Sequence, residues 1–221
     1  MFDRFIQKNA RPSVRSRLGV SERFVLLLVG GVYVGKGQLR FLRDVLFPLV
    51  RQFPSVLLVL VGGANDESYS DACRSASKDA GCDDNVRFMG YLAQEDVYAW
   101  YQACDVLVLP SEREGLPRCV IEAQAFARSV VATRVVGTAE AMDAGRTGFL
   151  VDNDRLADML PLLIRLAGDE KLRDTLGREG ARHVRRSFTL ERNVAAIHSL
   201  YQELCHKPER PVHDNARRHF V

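Results

Sequence analysis

The chain has 221 residues, of which 47% are hydrophobic and 27% charged. These values indicate one ordinary globular domain, with room for an appendage, and exclude a fibrous or largely disordered chain. A formal net charge of +3 is too small to indicate nucleic-acid binding by itself. The basic excess lies late, in ARHVRRSF and NARRHF. It is open to two interpretations, a solvated helix face with a loose tail or a peripheral contact with anionic lipid.

The cysteines and histidines argue against metal and His-based chemistry. Five cysteines are scattered along the chain without a CxxC pattern, which predicts free thiols in a reducing compartment and no metal site. All five histidines lie beyond residue 180. No signal peptide opens the sequence and no apolar run is long enough to span a bilayer, so we predict a cytoplasmic protein.

Apolar runs alternate with amphipathic segments along the chain. Strands are predicted at 24–30, 55–63, 85–90, 105–110, 129–135 and 148–152. Helices are predicted at 37–53 (disturbed by Pro48), 67–81 (ending at Gly81), 93–104, about 118–127, 155–169, 170–188 and 189–205. Near-continuous Val/Leu strands are typical of parallel sheets covered on both faces. The order predicts an α/β fold, a Rossmann-like doubly wound parallel sheet with a helical C-terminus. Both polar, proline-containing ends, 1–17 and 206–221, are predicted to be loose.

Ligands of such folds bind at the carboxyl ends of the strands, where the loops after Val29, Val61 and Leu109 are expected. The first loop, GGVYVGKG at 30–37, resembles a P-loop, but Gly37 replaces the Ser or Thr that binds magnesium. Asp105 opens its strand rather than ending it, so no Walker B carboxylate is apparent. Glycines that allow close backbone approach, and Lys36 as a charge for phosphate, remain. A tight turn with a solvated lysine is the alternative.

The segment DVLVLPSEREGLPRCVIEAQAFA at 105–127 is the most informative part of the sequence. A strand stops at Pro110, an acidic loop follows, and a helix begins near Pro117. Glu114 and Glu122 lie eight positions apart. This arrangement places helix N-terminal N–H groups beside two carboxylates, which suits a ligand with an anionic part and hydroxyls, such as a nucleotide sugar. The alternative is a helix-terminal charge and an exposed turn.

Taken together, these loops resemble the C-terminal, donor-binding half of GT-B glycosyltransferases of the retaining family 4 group. That family has a G-R-x-x-x-x-K-G loop and an E-G-x-x-x-x-x-x-E-A segment, which correspond to VGGVYVGKG and EGLPRCVIEA. LVLVGG, NVRFMGYL, ACDVLVLPSEREG and TGFLVD also match, and the resemblance covers about residues 15–205. It implies a linker-like segment at 1–20, a nucleotide-sugar-binding domain at 21–205 and a polar tail at 206–221.

The resemblance also implies roles for individual residues. Lys36 is expected on the donor diphosphate and Glu114 near the transferred sugar, both as catalytic residues. Glu122 is expected on the ribose hydroxyls, helix-start N–H groups on phosphate oxygens, and the base near Gly90 and Tyr91. The implied donor-binding set is Glu122, Gly30, Gly31, Gly35, Gly115, Leu116, Pro117, Arg118, Cys119, Gly90 and Tyr91. The donor is expected to be UDP- or GDP-linked, with no cofactor and no metal.

Two departures from the family pattern matter. Gly31 replaces the loop arginine, and Arg118 could partly take over its charge. The acceptor-binding N-terminal domain is expected on another chain, so the chain is interpreted as a fragment or half of a split enzyme of polysaccharide biosynthesis. Its expected partners are a nucleotide sugar and an acceptor glycan or lipid, with no nucleic acid. A catalytically degenerate binding or scaffold domain stays open as an alternative. Nucleotide-sugar epimerases lack the E-G…E-A arrangement.

Overall fold

The computed structural model describes residues 11–205. Its strands are β1 (Phe24–Val29), β2 (Val56–Val61), β3 (Val86–Phe88), β4 (Val106–Leu109), β5 (Ser129–Thr133) and β6 (Gly148–Val151). Its α-helices are α1 (Arg11–Arg17), α2 (Gln38–Phe41), α3 (Phe47–Gln52), α4 (Glu67–Asp79), α5 (Gln94–Ala103), α6 (Arg118–Ala125), α7 (Val136–Ala141), α8 (Met159–Gly168), α9 (Glu170–Ser187) and α10 (Leu190–Cys205). The six predicted strands are confirmed.

The strands form one parallel sheet in the order β3-β2-β1-β4-β5-β6. Leu27 of β1 pairs with Val59 on one side and with Leu107 on the other. The strand order reverses between β1 and β4, so the loops after these strands diverge and leave a crevice at the carboxyl edge of the sheet. The predicted Rossmann-like fold is confirmed.

The core occupies both faces of the sheet, as the apolar runs predict. On one face, Leu27 and Leu107 belong to the same buried cluster as Trp100 of α5. On the other face, Leu26 and Val106 belong to a cluster with side chains of α2, α3 and α8. Successive strand residues alternate between the clusters because side chains of a strand point to opposite faces.

The helix predicted at 37–53 is interrupted. A π-helical turn, Leu42–Leu46, joins α2 to α3, and Pro48 lies in the first turn of α3. Proline has no N–H to donate to the preceding turn, so the widened turn before it fits the expected disturbance. In the next helix, Asp66 caps α4 by accepting a 3.0 Å hydrogen bond from the backbone N–H of Tyr69.

Two segments differ from the prediction. Residues 11–17, expected to be loose, form α1, because Arg11 and Arg15 both bind the Asp105 carboxylate and Val14 is buried. Residues 136–141, for which no helix was expected, form α7, whose first turn is closed by the Thr138 hydroxyl. The predictions for residues 1–10 and 206–221 lie outside the described residues.

The chain divides into two compact units, one ending at Arg186 and the other beginning at Ser187. In the second unit, α10 carries apolar side chains at helical spacing that are exposed: Leu190, Val194, Ile197, Leu200, Tyr201 and Leu204. Within residues 11–205, no helix combines the length and the apolar character that crossing a membrane requires.

Candidate functional site

The loop after β1 brings Lys36 to the carboxyl edge of the sheet. Lys36 ends a short 3₁₀ turn, and Gly37 follows with a φ of 70°. A Cβ on Gly37 would lie 2.2 Å from the carbonyl oxygen of Pro110, so both conformation and space require glycine here. The Lys36 side chain folds back over Gly30, passing 3.3 Å from the position of a Cβ on that residue.

Lys36 forms an ion pair with Glu114, the other residue predicted to be catalytic. The Lys36 Nζ lies 2.6 Å from the Glu114 Oε1, and the two side chains are only 15% and 12% exposed. Limited contact with water makes this attraction stronger than that of an exposed pair. Glu114 is therefore more than a solvated charge at a helix start.

Backbone contacts hold the acidic loop in place. The N–H of Glu112 donates to the Gly35 carbonyl oxygen at 3.0 Å, and the N–H of Gly137 donates to the Glu114 carbonyl oxygen at 3.2 Å. A Cβ on Gly137 would lie 1.8 Å from the Gly115 carbonyl oxygen. The loop that carries Glu114 is thus fixed against both the first loop and α7.

The start of α6 places Glu122 beside the ion pair. Pro117 is the N-cap, and Glu122 lies one turn into the helix. The N–H groups of a helix's first turn have no intrahelical acceptor and can bind an anion. The Glu122 side chain is only 12% exposed and accepts a 3.3 Å bond from Arg118, whose own side chain is 79% exposed. The alternative of an exposed Glu122 therefore does not hold.

A cavity of about 520 Å³ unites these groups. Its walls include seven predicted site residues: Lys36, Glu114, Leu116, Pro117, Arg118, Cys119 and Glu122. A neighbouring cavity of about 380 Å³ is lined by three more, Gly30, Gly31 and Tyr91. The two cavities share Val29, Leu92 and Val97. Their volumes fall in the range of small-molecule sites.

Three predicted residues line neither cavity: Gly35, Gly90 and Gly115. The Gly35 carbonyl oxygen accepts from Glu112, and the Gly115 carbonyl oxygen lies against Gly137. The Gly90 carbonyl oxygen accepts from the N–H of Gly62 at 2.9 Å, which ties the end of β3 to the loop after β2. Tyr91 is 82% exposed, yet its ring lies against Gly63, where a Cβ would come within 2.0 Å of a ring carbon.

Sequence reasoning missed two polar residues around Gly31. The Gln38 amide donates to the Gly31 carbonyl oxygen at 2.8 Å. A Cβ on Gly31 would lie 2.2 Å from the Asn65 Oδ1, so the Asn65 side chain fills the space that a side chain at position 31 would need. Asn65 closely follows β2 and its glycines, so a polar residue at the carboxyl end of a strand was the available signal for it, whereas Gln38 opens α2.

Two groups beneath the larger cavity are kept neutral by burial. Burial raises the pKa of the Cys119 thiol to about 12. Tyr101 is fully buried beside Glu122. Burial first, and then the neighbouring Cys119 and Glu122, raise the pKa of Tyr101 well above its ordinary value. The floor of the cavity is thus uncharged, and its charge comes from Lys36, Glu114, Arg118 and Glu122.

Comparison with known proteins identifies the family. The model of the family described as "Glycosyl transferases group 1" matches residues 23–169. This chain belongs to the group 1 glycosyltransferases. The D-inositol 3-phosphate glycosyltransferase of Corynebacterium jeikeium (strain K411) is 33% identical over 208 residues, which are 91% of this chain and 49% of that protein. The enzyme of the same name from Arthrobacter sp. (strain FB24) is 33% identical over 192 residues, 86% of this chain and 45% of that protein.

Solved structures agree with the fold of this chain. Sucrose-phosphate synthase (tll1590) from Thermosynechococcus elongatus has a TM-score of 0.75 and 27% identity, over 87% of this chain and 48% of that one. Anabaena Alr3699/HepE, solved with UDP and glucose, has a TM-score of 0.79 and 22% identity, over 92% of this chain and 54% of that one. The chain spans about half the length of the curated relatives it matches. The predicted GT-B, family 4 resemblance is confirmed.

Proposed function

We propose that this chain is the donor-binding half of a retaining glycosyltransferase. It binds a UDP- or GDP-linked sugar and transfers the hexosyl group to a glycan or lipid acceptor once an acceptor-binding domain completes the cleft. The observation that carries the proposal is that Lys36, Glu114, Glu122 and the start of α6 line one cavity at the carboxyl edge of the sheet.

Each wall of the cavity suits one part of such a donor. The Lys36 ammonium and the first N–H groups of α6 bind the diphosphate, where a charge-assisted hydrogen bond contributes about 1.5–3 kcal/mol. The Glu122 carboxylate accepts bonds from two adjacent ribose hydroxyls. Glu114 holds Lys36 in position and presents its second oxygen to the sugar.

Transfer would rest on electrostatics fixed before the donor arrives. As the bond between the anomeric carbon and the diphosphate breaks, negative charge grows on the departing oxygen. Lys36 and the positive end of the α6 dipole stabilise that charge, and the Glu114 carboxylate stabilises positive character at the anomeric carbon. Glu114 and Lys36 are therefore the proposed catalytic residues.

A second candidate is a nucleotide-sugar-binding domain without transferase activity. Gly31 favours it, because the diphosphate cation that the family places there is missing, and the Asn65 side chain occupies the space. The two candidates agree on donor binding and differ only on turnover.

Calorimetric titration of UDP, GDP and ADP tests the shared part. We expect heat of binding with at least one nucleotide and a large loss of affinity in Glu122→Ala. Glu22→Ala is the matched control, since Glu22 is an exposed carboxylate before the amino end of β1. If none of the three nucleotides binds, both candidate functions are wrong.

Turnover separates the candidates. The chain is combined with an N-terminal glycosyltransferase domain, and transfer of radiolabelled sugar from the bound donor to acceptor is measured. Transfer that disappears in Lys36→Met supports the enzyme, whereas tight donor binding without transfer supports the binding domain.

A further inference from the structure

A second charged cavity lies at the amino edge of the sheet, at the opposite ends of the strands from the donor site. Its volume is about 390 Å³, and it lies between the end of α6, the start of β5 and α9. Five arginines line it: Arg11, Arg128, Arg178, Arg182 and Arg185. We call it the arginine cavity. The proposed function uses none of these residues.

The carboxylates around the arginine cavity do not neutralise it. Asp105 is bound by Arg11 and Arg15. Glu179 is shared between Arg182 and Arg146, which lies outside the cavity. In the described part of the chain, no carboxylate lies within 4.0 Å of the remaining three, Arg128, Arg178 and Arg185. The cavity therefore carries a net positive potential.

Arg128 is one of the arginines without a paired carboxylate. Among the described residues its guanidinium donates to two carbonyl oxygens, that of Phe126 at 2.8 Å and that of Cys104 at 3.5 Å. Burial foremost, and then the neighbouring Arg11, lower the pKa of Arg128, and Cys104, Asp105 and Asp174 oppose this only in part. The Arg11 Nε is buried and has no hydrogen-bond partner among residues 11–205. Arg11 is already paired with Asp105, whereas the largely buried guanidinium of Arg128 is costly without a paired anion and would gain from one in the cavity.

The rim and floor of the arginine cavity indicate what kind of anion fits. Arg178, Arg182 and Arg185 lie on one face of α9, at the spacing of successive helical turns. Guanidinium groups bind phosphate oxygens in pairs, with a geometry that a single ammonium lacks. The floor is apolar and includes Phe126 and Ala181, which suits the non-phosphate part of an ester.

We propose that the arginine cavity binds a phosphate-bearing anion, a phosphate ester or a diphosphate, at a site separate from the donor site. The phosphate lies between the arginines of α9 and the half-buried Arg11 and Arg128, and the apolar floor contacts the rest of the ligand. Two sources share this chemistry, a free phosphate ester and a phospholipid headgroup.

Calorimetry with inorganic pyrophosphate on the full chain tests the proposal. Arg178→Gln with Arg185→Gln should weaken binding at least about tenfold, equal to about 1.4 kcal/mol. Arg43→Gln with Arg51→Gln is the matched control, because it removes two exposed arginines of the α2–α3 region that do not line the cavity. Lys36→Met should leave pyrophosphate binding in the arginine cavity unchanged, which distinguishes this site from the donor site. An unchanged isotherm in the α9 variant, or an equal loss in the control, overturns the proposal.

Vesicle flotation separates the two sources. Phosphatidylcholine vesicles with and without phosphatidylglycerol are mixed with the wild-type chain, the α9 variant and the control. A phosphatidylglycerol-dependent association that only the α9 variant loses identifies a lipid headgroup. Pyrophosphate binding without vesicle association identifies a free phosphate ester. If the wild-type chain binds neither probe, the cavity is not a phosphate site.

Discussion

The two edges of the sheet hold similar ion pairs that differ in what else the carboxylate contacts. At the amino edge, the Asp105 side chain is 7% exposed and binds Arg11, Arg15 and the backbone N–H of Val25. At the carboxyl edge, Lys36 is the one side chain within residues 11–205 that binds Glu114, and both line a cavity of about 520 Å³. A carboxylate with every oxygen occupied holds elements together, whereas one with spare acceptor capacity beside a cavity is available to a ligand.

The largest expected effect is on stability at the amino edge. Asp105→Ala removes the carboxylate that binds Arg11, Arg15 and the N–H of Val25, and leaves the two arginines with carbonyl acceptors alone. We expect a loss of about 3 kcal/mol in the free energy of unfolding, at the low end for a broken buried pair because Arg11 remains 25% exposed. Urea denaturation measures it. Asp152→Ala breaks the exposed pair with Arg134 and should cost less than about 0.5 kcal/mol. Equal losses would remove the distinction between buried and exposed pairs.

The next effect is on the shape of the carboxyl edge. In Gly137→Ala, the new Cβ meets the Gly115 carbonyl oxygen and displaces the loop that carries Glu114. We expect a cost of about 1–3 kcal/mol in stability and weaker nucleotide binding. Gly168→Ala is the control, since a Cβ there meets nothing within 4 Å. Nucleotide affinity that is unchanged in the folded Gly137→Ala protein would show that the loop position does not matter.

At the carboxyl edge, removing a positive charge and removing a negative charge should have opposite effects on the affinity for a diphosphate. Lys36→Met removes the cation and should weaken binding of the accepted nucleoside diphosphate about tenfold, or about 1.4 kcal/mol. Glu114→Gln removes a negative charge beside the same phosphates and should leave affinity unchanged or slightly higher, by up to about 1 kcal/mol. Titration calorimetry compares the two variants. A large loss of affinity in Glu114→Gln would contradict the assignment of Lys36 to the diphosphate.

The smallest effect concerns thiol reactivity. Burial raises the pKa of Cys104, at the amino edge, and of Cys119, at the carboxyl edge, to about 12, so both thiols stay protonated well above neutral pH. Iodoacetamide at about pH 8 should therefore label the exposed Cys205 first. Bound nucleotide should slow the residual labelling of Cys119, which lines the donor cavity, and leave that of Cys104 unchanged. Peptide mass spectrometry resolves the sites, and equal protection of both cysteines would count against a donor at α6.

The fold was predictable because short, near-continuous apolar strands alternate with segments whose apolar residues recur at helical spacing. The short α7 was not, since its six residues pack through Gly137 against a distant loop. Nor was α1, whose arginines are held by Asp105, about ninety residues away in sequence. Sequence spacing alone cannot indicate such long-range pairs.

The sequence predicted which residues form the candidate site, but not the contacts between them. Glu114, Glu122 and Lys36 follow from the loop motifs, and the structure places all three in one cavity. The pairing of Lys36 with Glu114 did not follow, because each was assigned to a different part of the donor. Asn65 was missed because its effect depends on the space that Gly31 leaves open.

A backbone amide NMR titration with the nucleoside diphosphate that binds tests the donor site most directly. We expect the largest shifts at the start of α6, at Arg118 and Cys119, and in the loop around Gly30 and Gly31. In the variant that carries Arg178→Gln and Arg185→Gln, which weakens the arginine cavity, the amides of Val25 and Asp105 at the amino edge should not move. Shifts confined to the amino edge, with none at the start of α6, would contradict the assignment of the carboxyl edge as the donor site.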